Sequence, residues 1–198
     1  MTKTAVALVL VLLAATPALA LDPAQTFRQG ATLLSVEGGG GHQANLEGHR
    51  VQTGLDLWYA SVRYSLVMFD PAGPGLLRGA FEAGMGPIIQ KYDVPGGNDA
   101  LFGGLGVQAR WHLLSFGRFV PYVEGGAAAG GQDLRVREID SNLALLLNVG
   151  AGASVLLTDR TAIYAGYRLM HVSNGNTDDP NRGFEAHTGV LGFSYFFK

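Results

Sequence analysis

The chain has 198 residues, of which 29 are Gly, 8 are Pro and none is Cys; 47% are hydrophobic and only 15% charged, against about 25% charged in an ordinary soluble domain. The lack of cysteine excludes disulfide frameworks, thiolate metal sites and a cysteine nucleophile. A formal charge of −2 offers no basic field to hold nucleic acid, so no nucleic-acid partner is expected.

Residues 1–20 read as an export signal. Lys3 gives a positive start, residues 5–15 form an unbroken apolar run, and Ala18-Leu19-Ala20 fits a small-x-small cleavage site. The run is well short of the ~20 residues that a membrane-spanning helix needs. Leu21 stands where a lipid-anchored N-terminus would need Cys. Residues 21–198 are expected to form one domain.

That domain alternates. Successive side chains of a strand point to opposite faces, so a two-residue period with one apolar face marks a strand with one greasy side. A first, weak strand is expected over 31–36. Over 58–68 the even positions are apolar, with Ser61, Arg63 and Ser65 opposite. Over 77–89 the odd positions Leu77, Phe81, Ala83, Met85 and Ile89 oppose Arg78 and Glu82. Over 101–113 Leu101, Leu105, Val107, Ala109, Trp111 and Leu113 oppose Gln108, Arg110 and His112. A weaker fifth strand covers 119–129. The sixth, 143–157, sets leucines, valines and alanines against Asn148 and Ser154, and two more strands follow over 161–173 and 185–197.

Eight strands with an apolar outside and a polar, Gly-rich inside are the signature of an all-β, eight-stranded antiparallel transmembrane β-barrel, whose closure removes the edges that lipid does not tolerate. An interior of this size is filled by side chains. Arg63, Arg78, Glu82, Arg110, Glu124 and Arg168 fall on the inner face, where they are expected to pair with one another. His112 is expected to be a hydrogen-bonded core residue. Long connections are expected over 38–53, 90–100, 131–142 and 174–183, with short turns near 70–75, 115–118 and 158–160. Outer-membrane barrels place long loops outside the cell and short turns in the periplasm. Gly38 to Gly41 lacks the Lys-Ser/Thr of a phosphate cradle and is expected to be a flexible outer loop. His42 and His49 share that loop with only Glu47 as a nearby third ligand, so no metal is expected.

The last hairpin breaks the pattern. Arg168 puts the even face of 161–173 inside, so His171 and Ser173 face lipid, and on the returning strand Glu185 shares that surface. An ionised group there costs ~2–4 kcal/mol at the bilayer midplane and little at the interface. Two explanations stand: ordinary rim residues where loops begin, or a Ser-His-Glu triad in which Ser173 attacks an ester, His171 moves the proton and Glu185 orients the imidazole. His187, on the same side as Glu185, is a candidate supporting partner.

The segments His171-Val172-Ser173-Asn174 and Pro180-Asn181-Arg182-Gly183-Phe184-Glu185 resemble the active-site pattern of the lipid A 3-O-deacylases, the PagL family, with Glu185 following Ser173 by 12 positions. The resemblance implies Ser173 as nucleophile, His171 as base and Glu185 as orienting acid. The backbone N–H of Asn174 and the side chain of Asn181 would be the oxyanion donors. It also implies an outer-membrane hydrolase that removes the ester-linked acyl chain at position 3 of lipid A, with lipopolysaccharide as substrate, outer-membrane lipids as surroundings, and no cofactor or metal. A homodimer is an open expectation. The loop Gly175-Asn176-Thr177-Asp178-Asp179 and the terminal Phe197-Lys198 depart from the usual pattern. A non-enzymatic small barrel (an adhesin or membrane-stability protein), a palmitoyl-transferring barrel and a phospholipase remain alternatives.

Overall fold

The computed structural model describes residues 21–44, 46, 48 and 51–197; the expected export signal, His49 and Glu47 lie outside these residues. The strands are β1 (Thr32–Ala44), β2 (Asp56–Val67), β3 (Gly79–Asp93), β4 (Ala100–Leu113), β5 (Phe119–Gln132), the two-residue pieces β6 (Arg135–Val136) and β7 (Ile139–Asp140), then β8 (Leu143–Leu156), β9 (Thr161–Ser173) and β10 (Phe184–Phe197). Eight of them close an antiparallel barrel in the order β1-β10-β9-β8-β5-β4-β3-β2, while β6 and β7 form a separate small hairpin. Among the described residues no helix is long and apolar enough to cross a membrane; this chain crosses with strands.

The alternation sets the two surfaces. Leu105, Val107, Leu147, Val149 and Leu191 are exposed on the outer wall, as lipid contact requires. The lumen is filled in three layers. Leu57, Tyr59, Tyr92, Phe102, Leu134, Ile139 and Phe184 pack toward the long loops. Leu33, Val67, Val120, Leu156 and Phe196 pack toward the short turns, where Phe27 closes the mouth. Phe27 is placed there by the helical turn Pro23–Thr26, whose first turn is capped by the Asp22 carboxylate.

Between the apolar layers lies a network of three arginines and three glutamates. Arg168 takes Glu37 in two bonds, Nη1 to Oε1 at 2.7 Å and Nη2 to Oε2 at 3.0 Å, and reaches Glu124 with Nε at 2.6 Å. Arg110 joins Glu124 at 2.8 Å, and Arg63 joins Glu37 at 3.3 Å. His112 is hydrogen-bonded to Glu82 at 2.7 Å, and Tyr164 donates to Glu37 at 2.7 Å. Buried charges persist only when paired in this way.

Two expectations are corrected, and one residue is added. Arg78 is outside the lumen, exposed after the 3-10 turn Gly75–Leu77, because β3 starts at Gly79 and not at Leu77. The position at the centre of the inner network is Glu37, which alternation in a weak first strand did not single out. Gly38 to Gly41 is strand, not loop: each of the four is paired to both β10 and β2. The ladder on both sides overrides their composition. Glycine is required inside this strand because a Cβ at Gly41 would strike the His187 carbonyl, and one at Gly39 the Tyr59 ring.

Glu37→Gln leaves Arg168 buried with half its partner gone and is expected to destabilise the barrel by about 3–5 kcal/mol. Arg78→Gln is expected to leave the midpoint unchanged. Urea unfolding in lipid vesicles, followed by tryptophan fluorescence, measures both.

Candidate active site

β9 and β10 meet at the long-loop end in a register that sets Glu185 directly opposite His171. Val172 and Phe184, between the polar positions, are buried in the lumen, so His171, Ser173 and Glu185 must project from the outer wall. His171 Nδ1 lies 3.0 Å from Glu185 Oε1. A carboxylate only accepts, so Nδ1 carries the hydrogen and Nε2 keeps its lone pair for a hydroxyl. The side chains are 37% and 18% exposed, on the wall but partly sheltered. Ser173 follows on the same face, paired with Leu145 of β8. Its hydroxyl has no hydrogen-bond partner among the described residues; nucleophile–base contacts often tighten only when substrate binds.

The loop joining the two strands is built on Asn174, which is fully buried. Its side chain donates to the Asp178 carbonyl at 2.8 Å and accepts from Asn176 N–H at 3.0 Å, and its carbonyl accepts from the Thr177 hydroxyl at 2.9 Å. The structure brings the two expected oxyanion donors together, but bonded to each other. Asn174 N–H donates to Asn181 Oδ1 at 2.9 Å, and Asn181 Nδ2 donates to Asn176 Oδ1 at 2.7 Å. His187 does not support Glu185; its Nδ1 meets the Tyr167 hydroxyl instead.

The sequence reading placed Gly183 in the family pattern without a role and missed Glu138. Gly183 has φ +68°, and a Cβ there would sit 2.8 Å from the Val172 carbonyl and 3.1 Å from the His171 ring. The residue must be glycine for the imidazole to lie where it does. Glu138, with no exposed surface, gathers three loops. Its carboxylate accepts from Thr53 N–H at 2.8 Å, Thr53 Oγ1 at 2.6 Å, Gln43 Nε2 at 3.1 Å and Arg182 Nη2 at 3.2 Å. Its carbonyl accepts from Gly183 N–H at 3.0 Å. Beside it Ile139 bridges Asn181, and Ser141 donates to Asp178 at 2.9 Å. No local pattern marks Glu138, because its partners come from elsewhere in the chain.

A closed barrel with an apolar wall, an ionic lumen and a His–carboxylate pair facing lipid is an outer-membrane β-barrel of the kind that can carry chemistry on its outside. The family model described as "Lipid A 3-O-deacylase (PagL)" matches residues 49–194, and the chain belongs to this family of ester hydrolases. Among solved structures, the outer membrane enzyme PagL is similar with TM-score 0.60 and 14% identity, over 80% of this chain and 97% of that one. Neisserial surface protein A is similar with TM-score 0.59 and 14% identity, over 85% of this chain and 100% of that one. At such identity these two share the fold alone. No curated protein sequence matches the chain.

Burial pushes the Glu138 carboxyl up, but the Thr53 and Gln43 hydrogen bonds outweigh it and hold the group below the usual carboxylate range. A depressed folded pKa means that the stabilisation is complete above the unfolded value of about 4.3 and is lost as pH falls through the folded value. Hydrogen exchange of the 174–183 loop is therefore expected to be slow at neutral pH and to accelerate under acid, after correction for intrinsic exchange. Glu138→Gln is expected to give fast exchange already at neutral pH.

Proposed function

We propose that the protein hydrolyses the ester that links the acyl chain at position 3 of lipid A, using Ser173, His171 and Glu185 from the outer wall. The observation that carries the reading is the His171–Glu185 hydrogen bond on a lipid-facing surface, where a carboxylate has no structural reason to be. Family membership supplies the substrate class.

Ser173 Oγ attacks the ester carbonyl carbon as its proton passes to His171 Nε2. The tetrahedral intermediate collapses, the C–O bond to the sugar breaks, and the same proton goes to the departing sugar oxygen. His171 then takes a proton from water, which attacks the acyl-Ser173 ester; the fatty acid leaves and Ser173 regains its hydrogen. Glu185 holds the tautomer throughout and stabilises the imidazolium. The oxyanion is met by Asn181 and Asn174. The Asn181 carboxamide turns its Nδ2 toward the developing charge, which releases Asn174 N–H to donate as well. Such donors act on charge that develops during the reaction.

In this reading residues 1–20 direct export and are removed, and the barrel sits in the outer membrane with its long loops outside. Lipopolysaccharide then reaches the triad by lateral diffusion and never enters the lumen. Leu169, Leu191 and Phe193 lie on the wall that its acyl chains would touch.

Mass spectrometry of lipid A from cells expressing Ser173→Ala is expected to show the 3-linked chain retained, whereas the unaltered protein gives a product lighter by that acyl group. Losses on the order of 10⁶ for Ser173→Ala and 10⁴ for Glu185→Ala are expected from comparable triads. Full deacylation by Ser173→Ala excludes the mechanism; a gain of mass in place of a loss points to acyl transfer.

A further inference from the structure

The wall beside the triad is uneven. On its β8 flank the outward positions Leu145 and Leu147 pair with Ser173 and His171, and Val149 follows below, so that side is filled. On the other flank the outward positions of β10 and β1 below the rim are Gly189, Gly40 and Gly38, with Gly189 paired to Gly40 and Gly38 to Leu191. They leave a trough walled by Trp58 on one side and Leu191 on the other. Trp58 and Leu191 are 60% and 67% exposed; the Trp58 ring leans over Gly40, so the open floor between them is Gly189 and Gly38.

Backbone geometry does not ask for these glycines equally. A Cβ at Gly40 would collide with the Trp58 ring, but one at Gly189 would meet nothing within 4 Å and one at Gly38 only a carbonyl at 3.6 Å. Neither Gly189 nor Gly38 has positive φ. A strand interior loses stability at glycine unless something approaches the backbone.

At the upper end of the trough stand His42 and His187, paired across β1 and β10. His42 Nδ1 is held by Asp56 Oδ1 at 2.7 Å, and His187 Nδ1 meets the Tyr167 hydroxyl. When the phenol donates to Nδ1, His187 carries its hydrogen on Nε2, a donor at the level where an acyl chain begins. Tyr167 stands on β9 below His171 and Leu169 and reaches His187 on β10, so the pair separates the upper wall around Ser173 from the trough. β9 and β1 are two strand spacings apart, roughly 10 Å. The scissile chain, whose carbonyl must sit at Ser173, therefore runs down a different part of the wall.

Resting on the deacylase reading, we propose that this trough is the subsite for a second, uncleaved acyl chain of the same lipid molecule. The chain lies over Gly189 and Gly38, between the Trp58 ring on Gly40 and Leu191, and its ester or amide carbonyl accepts the His187 Nε2–H. The subsite makes the enzyme select lipids by the chains it leaves in place.

The test uses the full-length protein in mixed micelles with two substrates: hexa-acylated lipid A, and a glucosamine monosaccharide that carries only the 3-linked acyl ester. Gly189→Leu, whose Cβ meets nothing within 4 Å, intrudes on the trough and is expected to raise KM for lipid A about tenfold, the loss of two or so buried methylenes. Its kcat should stay within about twofold, and the single-chain substrate should be handled as before. Gly38→Val is expected to act in the same way and serves if Gly189→Leu does not fold, as judged by circular dichroism and heat-dependent gel mobility. An unchanged KM for lipid A in the folded variants, or an equal rise for both substrates, overturns the subsite. If instead Ser173→Ala retains activity, the hydrolase reading falls. Native mass spectrometry of lipid A bound to Gly189→Leu against the unaltered protein then still decides whether the trough holds a chain: weaker retention supports it, equal retention removes it.

Discussion

The bidentate pair between Arg168 and Glu37 is the interaction on which the rest of the molecule depends. It ties β9 to β1 across the lumen and, with Glu124, Glu82, Arg110 and Arg63, neutralises the interior. Its geometric consequence matters as much as its energy. Side chains alternate along a strand, so an Arg168 held inside places His171, three residues on, outside. A buried arginine without its carboxylates would be strongly destabilising, and the orientation of the polar hairpin inherits that penalty. The imidazole faces lipid because the guanidinium cannot.

Glycine does two kinds of work in this barrel. At Gly39, Gly41 and Gly183 a side chain would strike a carbonyl or a ring, so the residue serves packing: room for Tyr59 in the lumen, close approach of β1 to β10, and clearance beside His171. At Gly189 and Gly38 no such collision exists, and the missing side chains shape the outer surface instead. Composition alone does not separate these roles, since both contribute equally to the 29 glycines.

The site is assembled at two ranges. Within the last hairpin, strand pairing alone brings Glu185 to His171. The loop above it is held by contacts from far away in the chain: Glu138 and Ser141 from the third long connection, and Thr53 and Gln43 from the first. Such external bracing fixes the backbone of the turn that carries Asn174 and Asn181. Two barrels with nearly equal structural similarity to this chain, one an enzyme and one a surface protein, illustrate that the scaffold leaves function to the residues on its wall.

The sequence by itself determined the strand number, the lipid-facing surface, and the outward projection of His171, Ser173 and Glu185, because a two-residue period is a local property that survives without knowledge of neighbours. It also carried the spacing that identifies the family. It misread Arg78 by extending a pattern two residues before the strand begins, and it read Gly38 to Gly41 as loop because composition was the only local signal available there. Only the tertiary structure decided the register that sets Glu185 on His171, the place of Glu37 at the centre of the lumen, the mutual hydrogen bond of Asn174 and Asn181, and the bracing by Glu138. Each of these joins strands or loops distant along the chain, and their meeting is settled by closure of the barrel, which no stretch of residues encodes alone.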